Sequence, residues 1–438
     1  MEKLSFVLIL VNVFVFSCSL LLNVLFGGYA AYLRLLLIAI LWLFAIWLFL
    51  TPNCLSKRDV NLPNQGLLIL LMCLTVMLIV SATVSRAPLI AIFYSIMPYF
   101  SFYPLVYLLL VVRRNNFLTK KLLIVFLILC NILAIGVIYD GVIGLENTPF
   151  ISGKFAKALQ EINTVDATGD RRGGFFFGSA TSVYPFMSIG LLSAVIINKI
   201  FRDKNSIFLV YLSIPIIWMG CFFTFSRAPI ILGTAFAAYA FLEMTFINPN
   251  IKASHKFFLV IATFLFTVLA PDLQSWLYEQ MGAYHADRLG ATLSSSDTGN
   301  SHRFLTWIEG MKLFNSTEAW RGYGLATSNI RMSQLYGFEL KPQYESSILF
   351  TFSEGGIAGL IARLVPILIT FWVCQNTRLA MLFSIWSLLF FINLFISPLI
   401  NGHPVQLSYF LGMAMCVTLA PLLRRRNHLR NFSQRIML

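Results

Sequence analysis

Arg227 lies in the segment Thr224-Phe225-Ser226-Arg227-Ala228-Pro229, and the same order of residue types recurs at Thr83-Val84-Ser85-Arg86-Ala87-Pro88. A Ser shortly ahead of a Pro suits the start of a helix, because the hydroxyl can cap the first amides and the ring fits the first turn. Unpaired N–H groups and the macrodipole draw anions to such a start, and an adjacent Arg adds a planar, permanently charged fork. Two such starts would make half of a clamp for a diphosphate. The competing role is snorkelling of each guanidinium to a membrane interface, which weighs more at Arg86 than at Arg227.

Further cations stand in similar company. Arg171-Arg172-Gly173-Gly174 joins two guanidiniums to a backbone that a ligand can approach closely, although an ordinary interfacial Arg pair would look the same. Arg303 precedes Trp307, Arg321 opens Arg321-Gly322-Tyr323-Gly324, and Tyr344-Glu345-Ser346-Ser347 follows. Glu345 is a candidate general base: a carboxylate among arginines could take a proton while they hold a diphosphate. A simple Arg–Glu ion pair is the alternative. Glu354 falls inside an apolar run and so needs a partner, for which Arg363 or an outward Arg is available. His302, beside Arg303, is a second possible base or an ordinary loop residue. The histidines form no H-x-x-x-H or H-E-x-x-H pattern, so no metal site and no metal cofactor are expected. The absence of Walker A and dinucleotide-binding glycine patterns argues against an enzyme fed by nucleotide sugars.

The elements that must position these residues are membrane helices. Apolar residues make up 58% of the 438 and charged residues 11%, too few charges to cover a soluble surface. Soluble enzyme folds and nucleic-acid modules therefore drop out, and no nucleic-acid partner is expected. Runs able to cross a ~30 Å hydrocarbon layer extend over 4–22, 30–50, 67–84, 91–112, 121–139, 174–198, 206–225, 229–247, 257–271, 348–373, 379–397 and 404–422. The expected fold is thus all-α, a polytopic bundle of about twelve spans. Leu4 to Leu22 is too long for a signal-peptide core and is expected to be the first span. The chain carries 32 Lys+Arg against 18 Asp+Glu. With the N-terminus in the cytoplasm, every short inward loop is basic, from Lys57/Arg58 through Arg113/Arg114 and Lys199/Arg202 to the tail after Arg424.

That register divides the chain into 1–139 (helices 1–5), a long outward loop at 140–173, helices 6–9 over 174–271, a larger outward loop at 272–347, helices 10–12 over 348–423 and a basic inward tail, 424–438. The loops exceed what helix connections need, and function concentrates in such segments. Within the second, Ser294 to Asn300 reads as a turn and His302 to Phe314 as a helix, with Trp276, Trp307 and Trp320 suited to the membrane interface. Seven cysteines lie mostly in apolar runs and none in the long loops, so no structural disulfide is expected.

The order Thr224 to Pro229, Arg303-x-x-x-Trp307, Gly322-x-Gly324, Glu345-Ser346 and Glu354-Gly355-Gly356-Ile357-x-Gly359 resembles the O-antigen ligase and O-antigen polymerase superfamily. Arg171 to Phe175 is similar to that family's Arg-x-x-Gly-Phe segment. The likeness covers about residues 170–360, the first half matching in hydropathy alone. It implies a multi-pass glycosyltransferase of the bacterial inner membrane with its active face in the periplasm, needing no metal. The donor would be an oligosaccharide on undecaprenyl pyrophosphate. Arg227 and Glu345 would be the catalytic pair, and Arg86, Arg171, Arg172, Arg303, Arg321, Tyr344 and His302 would bind the diphosphate or sugars. A flippase and a chain-length regulator would be partners. Many ligases of the family carry a His-Asn pair where this chain has Glu345-Ser346, which favours the polymerase. The ligase and a lipid-linked oligosaccharide transporter are the alternatives.

Overall fold

The computed structural model describes residues 1–26, 29–51, 55–85, 87–144, 164–165, 170–171, 174–175, 183–201, 204–242, 305, 308–316, 320–328, 334, 337, 341, 347–375 and 409–422. Among these the chain is helical, apart from a two-residue antiparallel ladder. The helices are α1 (Glu2–Ser17), α2 (Ser19–Phe26), α3 (Tyr29–Leu50), α4 (Lys57–Val80), α5 (Leu89–Phe100), α6 (Phe102–Val112), α7 (Asn116–Val142), α8 (Val183–Ile196), α9 (Lys204–Phe222), α10 (Arg227–Leu242), α11 (Ser347–Gln375) and α12 (Tyr409–Leu422). The ladder pairs β1 (Thr164–Val165) with β2 (Asp170–Arg171).

Among the described residues, four helices are long and apolar enough to cross a bilayer: Tyr32–Leu50, Asp59–Ser85, Asn116–Val142 and Ile348–Cys374. Leu43, Leu50, Leu68, Met72 and Ile79 are all more than half exposed. In water this would be a liability; against lipid tails it costs nothing, since every backbone group is satisfied within the helix. The predicted first span is two helices meeting at Cys18, the run 91–112 divides at Ser101, and in the run from 174 the described helix is Val183–Ile196. Helix α7 continues through Val142, past residue 140 where the first loop was expected to begin. The spans at 257–271 and 379–397 lie outside the described residues, as do Trp276 and Trp307.

The chain forms two compact units that are not sequential stretches. One comprises Met1–Phe16, Gly28–Thr119 and Thr298–Leu438, the other Ser17–Gly27 and Lys120–Asp297. In the first, α6 is buried along its whole length and serves as the central helix, as expected for a helix apolar all round. Helix α4 packs along α11, and glycines at two levels permit the approach: Gly66 faces Ile369 and Tyr103, and Gly355 faces Met77. At one end of this unit Arg113 donates to Asp59 and, at 2.9 Å, to the carbonyl of Thr418, while Asn115 donates to Glu2 at 3.1 Å. The start of α4, the end of α6, the end of α12 and the start of α1 are therefore together. In the second unit α8 is the helix buried throughout. Gly190 lies against Cys130, Gly220 against Ala134 and Gly233 against Cys221, so small residues again set the helix spacing.

Candidate functional site

In the second unit, the last turns of α7 hold two arginine-bearing segments. Asp140 is buried, and its Oδ2 accepts the amides of Gly174 at 2.9 Å and Phe175 at 2.7 Å. Phe175 adopts φ +45°, and its ring lies where a Cβ on Gly136 would stand, 2.6 Å from the nearest ring carbon. One helical turn further, Gly141 meets the carbonyl of Phe223, which a Cβ would approach to 2.6 Å. Residues 136–141 thus carry both the segment that follows Arg171-Arg172 and the one that leads to Arg227.

The second segment is built by its own hydroxyl. Thr224 Oγ1 donates to the Cys221 carbonyl at 2.7 Å and accepts the Ser226 amide at 3.2 Å, while the Phe225 amide bonds the Phe222 carbonyl at 3.1 Å. Phe225 is forced to φ +46° and buried against Phe223. Left-handed backbone costs a non-glycine residue roughly 1–2 kcal/mol, and such conformations persist where the surroundings over-determine them. Arg227 then opens α10, with Pro229 in the first turn as the sequence predicts. Arg171 pairs with Thr164 across the ladder.

In the first unit, the segment from Trp320 to Ser328 threads between the C-terminal end of α4 and the N-terminal part of α11. Helix α4 ends in a π-helical turn, Ser81–Ser85. The hydroxyls of Ser81, Thr83 and Ser85 donate to the carbonyls four residues back at 2.7 to 2.9 Å, which satisfies groups that the widened turn releases. Ser81 Oγ also accepts the amide of Leu325 at 2.8 Å. On the other side the amides of Tyr323 and Gly324 bond the carbonyls of Ser353 and Glu354 at 2.7 and 3.0 Å. Gly322 and Gly324 both have positive φ, and a Cβ on Gly324 would stand 2.6 Å from that of Ser85. Helix α11 yields at Gly356 (φ +58°), whose missing side chain leaves room for the Trp320 carbonyl. The motifs Thr83 to Ser85, Gly322-x-Gly324 and Glu354 to Gly356 are therefore one constellation in space.

Glu354 is buried, and the partners seen for its carboxylate among the described residues are backbone amides. Its Oε1 accepts the Ser328 amide at 3.1 Å, and the Ala326 amide also hydrogen bonds the carboxylate. Ser85 does not cap the next helix as expected; it accepts the Ala87 amide at 3.3 Å, and Pro88 occupies the cap position. Arg321 is exposed beside Trp320, whose ring is 47% exposed and packs edge-on against Phe352. Lys341 places its ammonium 5.7 Å from the centre of the Tyr323 ring. In the predicted helix after His302, residues 305 and 308–311 are helical and Lys312–Asn315 forms a 3₁₀ turn.

Arg86, Arg172, His302, Arg303, Tyr344 and Glu345 lie outside the described residues. Asp140, Ser81 and Lys341 are positions that motif reasoning passed over. Asp140 carried a usable signal, an acid closing an apolar run, which is the same signal that marks Glu354. Among the described residues no cluster of His, Cys, Asp and Glu could hold a metal ion, and the six described cysteines are buried and unbridged. No protein-family model, curated protein or solved structure matches the chain.

Proposed function

We propose that the chain is an integral-membrane glycosyltransferase that polymerises undecaprenyl-pyrophosphate-linked repeat units into O-antigen or a related surface polysaccharide. The observation that carries this is the convergence on residues 136–141 of the segments bearing Arg171-Arg172 and Arg227, each held through a strained non-glycine residue. Arginines close in sequence to two buried anchors on one helix end would suit a diphosphate, whereas snorkelling would need no such anchoring. The order of motifs that resembles the O-antigen ligase and polymerase superfamily supplies the rest. In the reaction a hydroxyl of the acceptor repeat unit attacks the anomeric carbon of the donor. The new glycosidic C–O bond forms as the bond to undecaprenyl pyrophosphate breaks. The hydroxyl proton passes to the Glu345 carboxylate, and the arginines take the charge that develops on the leaving diphosphate.

The test is cellular. Loss of a polymerase leaves single repeat units on the lipid A core, loss of a ligase leaves none while lipid-linked polymer accumulates, and loss of a transporter traps single units on the inner leaflet. The first outcome is expected on deletion; either of the others removes the proposal. The transporter reading has one observation in its favour: a buried Arg363 midway along α11.

A further inference from the structure

The segment from Trp320 to Ser328 is exposed at one end and held at the other. Trp320 and Arg321 are exposed and Tyr323 is half-buried, whereas Gly322 and the residues from Gly324 to Ser328 are buried. Hydrogen bonds to two helices fix the buried part. On α11 the carbonyls of Ser353 and Glu354 accept the amides of Tyr323 and Gly324 at 2.7 and 3.0 Å, and the Glu354 carboxylate accepts the Ser328 amide at 3.1 Å. On α4 the Ser81 hydroxyl accepts the Leu325 amide at 2.8 Å. Glu354 therefore grips the stretch 324–328 at both ends, once with its main chain and once with its side chain. Between those grips Ala326 stands at φ +69°, and a non-glycine residue stays there where its surroundings over-determine it. The break in α11 at Gly356 receives the backbone of Arg321: a Cβ on Gly356 would lie 2.5 Å from the Arg321 carbonyl carbon and 2.7 Å from the Gly322 nitrogen. Arg321 thus rests, by its main chain, on the turn of α11 that carries Glu354. Trp320 braces the other flank, its Nε1 donating to the Phe314 carbonyl at 2.9 Å.

We propose that Glu354 is a positioning residue that sets Arg321 for the diphosphate of a lipid-linked ligand, an inference that rests on the role given to Arg321 above. An acid within a span is costly to keep, and a neutral side chain could accept a single amide. A bond from an amide to a carboxylate is roughly twice as strong as one to a neutral acceptor, which suits a hold that must withstand a ligand bound at the exposed end. A guanidinium matches two oxygens of one anion through parallel N–H groups. On a loose loop that match would first have to be ordered, at a cost to affinity; on a backbone already pinned the cost is met in folding. Glu354 touches no ligand and moves no proton in this role. It acts through the backbone from Ser328 back to Arg321.

The test uses the purified full-length protein in detergent, with farnesyl diphosphate binding measured by calorimetry, farnesol as the control, and hydrogen exchange followed in peptides covering Gly322 to Ser328. Wild type should bind the diphosphate and not the alcohol. Glu354→Ala should bind at least about tenfold more weakly, with exchange in those peptides at least about tenfold faster. Glu354→Gln keeps an acceptor oxygen in place and gives up only the charge-assisted part of the bond, so its affinity should stay within about threefold of wild type. Glu354→Asp keeps the charge but withdraws the acceptor by a methylene and should follow Ala; if Glu354→Ala does not accumulate, the contrast between Gln and Asp decides. Arg321→Ala should weaken binding by itself, and adding Glu354→Ala to it should weaken binding no further, since both changes remove one interaction. Wild-type affinity in Glu354→Ala and Glu354→Asp, a Gln variant as weak as Ala, additive losses in the double variant, or no diphosphate binding by wild type would overturn the proposal. Wild-type protein that shows the expected binding pattern yet does not lengthen lipid-linked repeat units would remove the polymerase reading and leave the positioning role intact.

Discussion

Asp140→Ala is the perturbation that most directly separates a built arginine clamp from arginines that merely reach the interface. The carboxylate accepts two amides, Gly174 at 2.9 Å and Phe175 at 2.7 Å, and nothing in an Ala side chain replaces it. A buried amide left without an acceptor costs about 1–3 kcal/mol. Gly174 is buried and Phe175 half-buried, so the two together lose about 2–4 kcal/mol. Phe175 at φ +45° adds to the tendency to relax once released. At tenfold per 1.4 kcal/mol, even 2 kcal/mol lowers the population of the held turn about 30-fold. Because the cost falls on one short segment rather than on the helix-to-helix packing, the melting temperature of the whole protein should move little, while the donor KM rises at least about 30-fold as Arg171 and Arg172 lose their platform. Asp140→Asn keeps one acceptor oxygen without the charge and should fall between. The assay is the rate of chain growth on lipid-linked repeat units at increasing donor concentration, beside a melting curve of the same preparation. Wild-type kinetics in Asp140→Ala would refute the reasoning, since the segment would then need no anchor or its arginines would not touch donor.

Arg227→Ala should abolish polymer while the protein stays in the membrane, and Arg227→Lys should not restore the wild-type rate, because a point charge cannot reproduce bidentate contact; polymer banding on gels reads both. Gly324→Ala places a Cβ 2.6 Å from that of Ser85 at φ +101°, so the detergent-purified variant should melt well below wild type, by the equivalent of about 1–3 kcal/mol; an unchanged melting curve would mean that the Arg321 to Ser328 segment does not seat on α4. A cysteine introduced near Ser295 should react with a membrane-impermeant thiol reagent applied to the periplasmic side and one near Asn116 should not; the reverse pattern would invert the orientation.

Hydropathy was enough to show a helical membrane chain, because a lipid-facing surface must be apolar and leaves few charges. Helix breaks were harder. The run 91–112 looks like one span because nothing in its apolar character registers the break at Ser101. Serine, threonine and glycine patterns carried real information, though for other reasons than expected. Ser81 and Ser85 build a π-helical turn that receives Leu325 and Gly324, an outcome set by tertiary hydrogen bonds between residues 244 apart for the Ser81 to Leu325 bond. Glu354 showed the same limit: an acid within a span demands a partner and sequence suggests a cation, whereas the bonds seen among the described residues come from backbone amides of a distant loop. Asp140 was legible by the same rule and anchors the segment it was never linked to, because sequence does not show which loop returns to which helix end.

The central claim is that lipid-linked repeat units are joined to one another. Purified protein supplied with undecaprenyl-pyrophosphate-linked repeat units alone, and no added metal, should build longer chains and release undecaprenyl pyrophosphate, and Glu345→Gln should slow that growth by the ~10²–10⁴ typical of a lost general base while donor binding persists. No lengthening with wild-type protein, or transfer only when a lipid A core acceptor is added, would contradict the account.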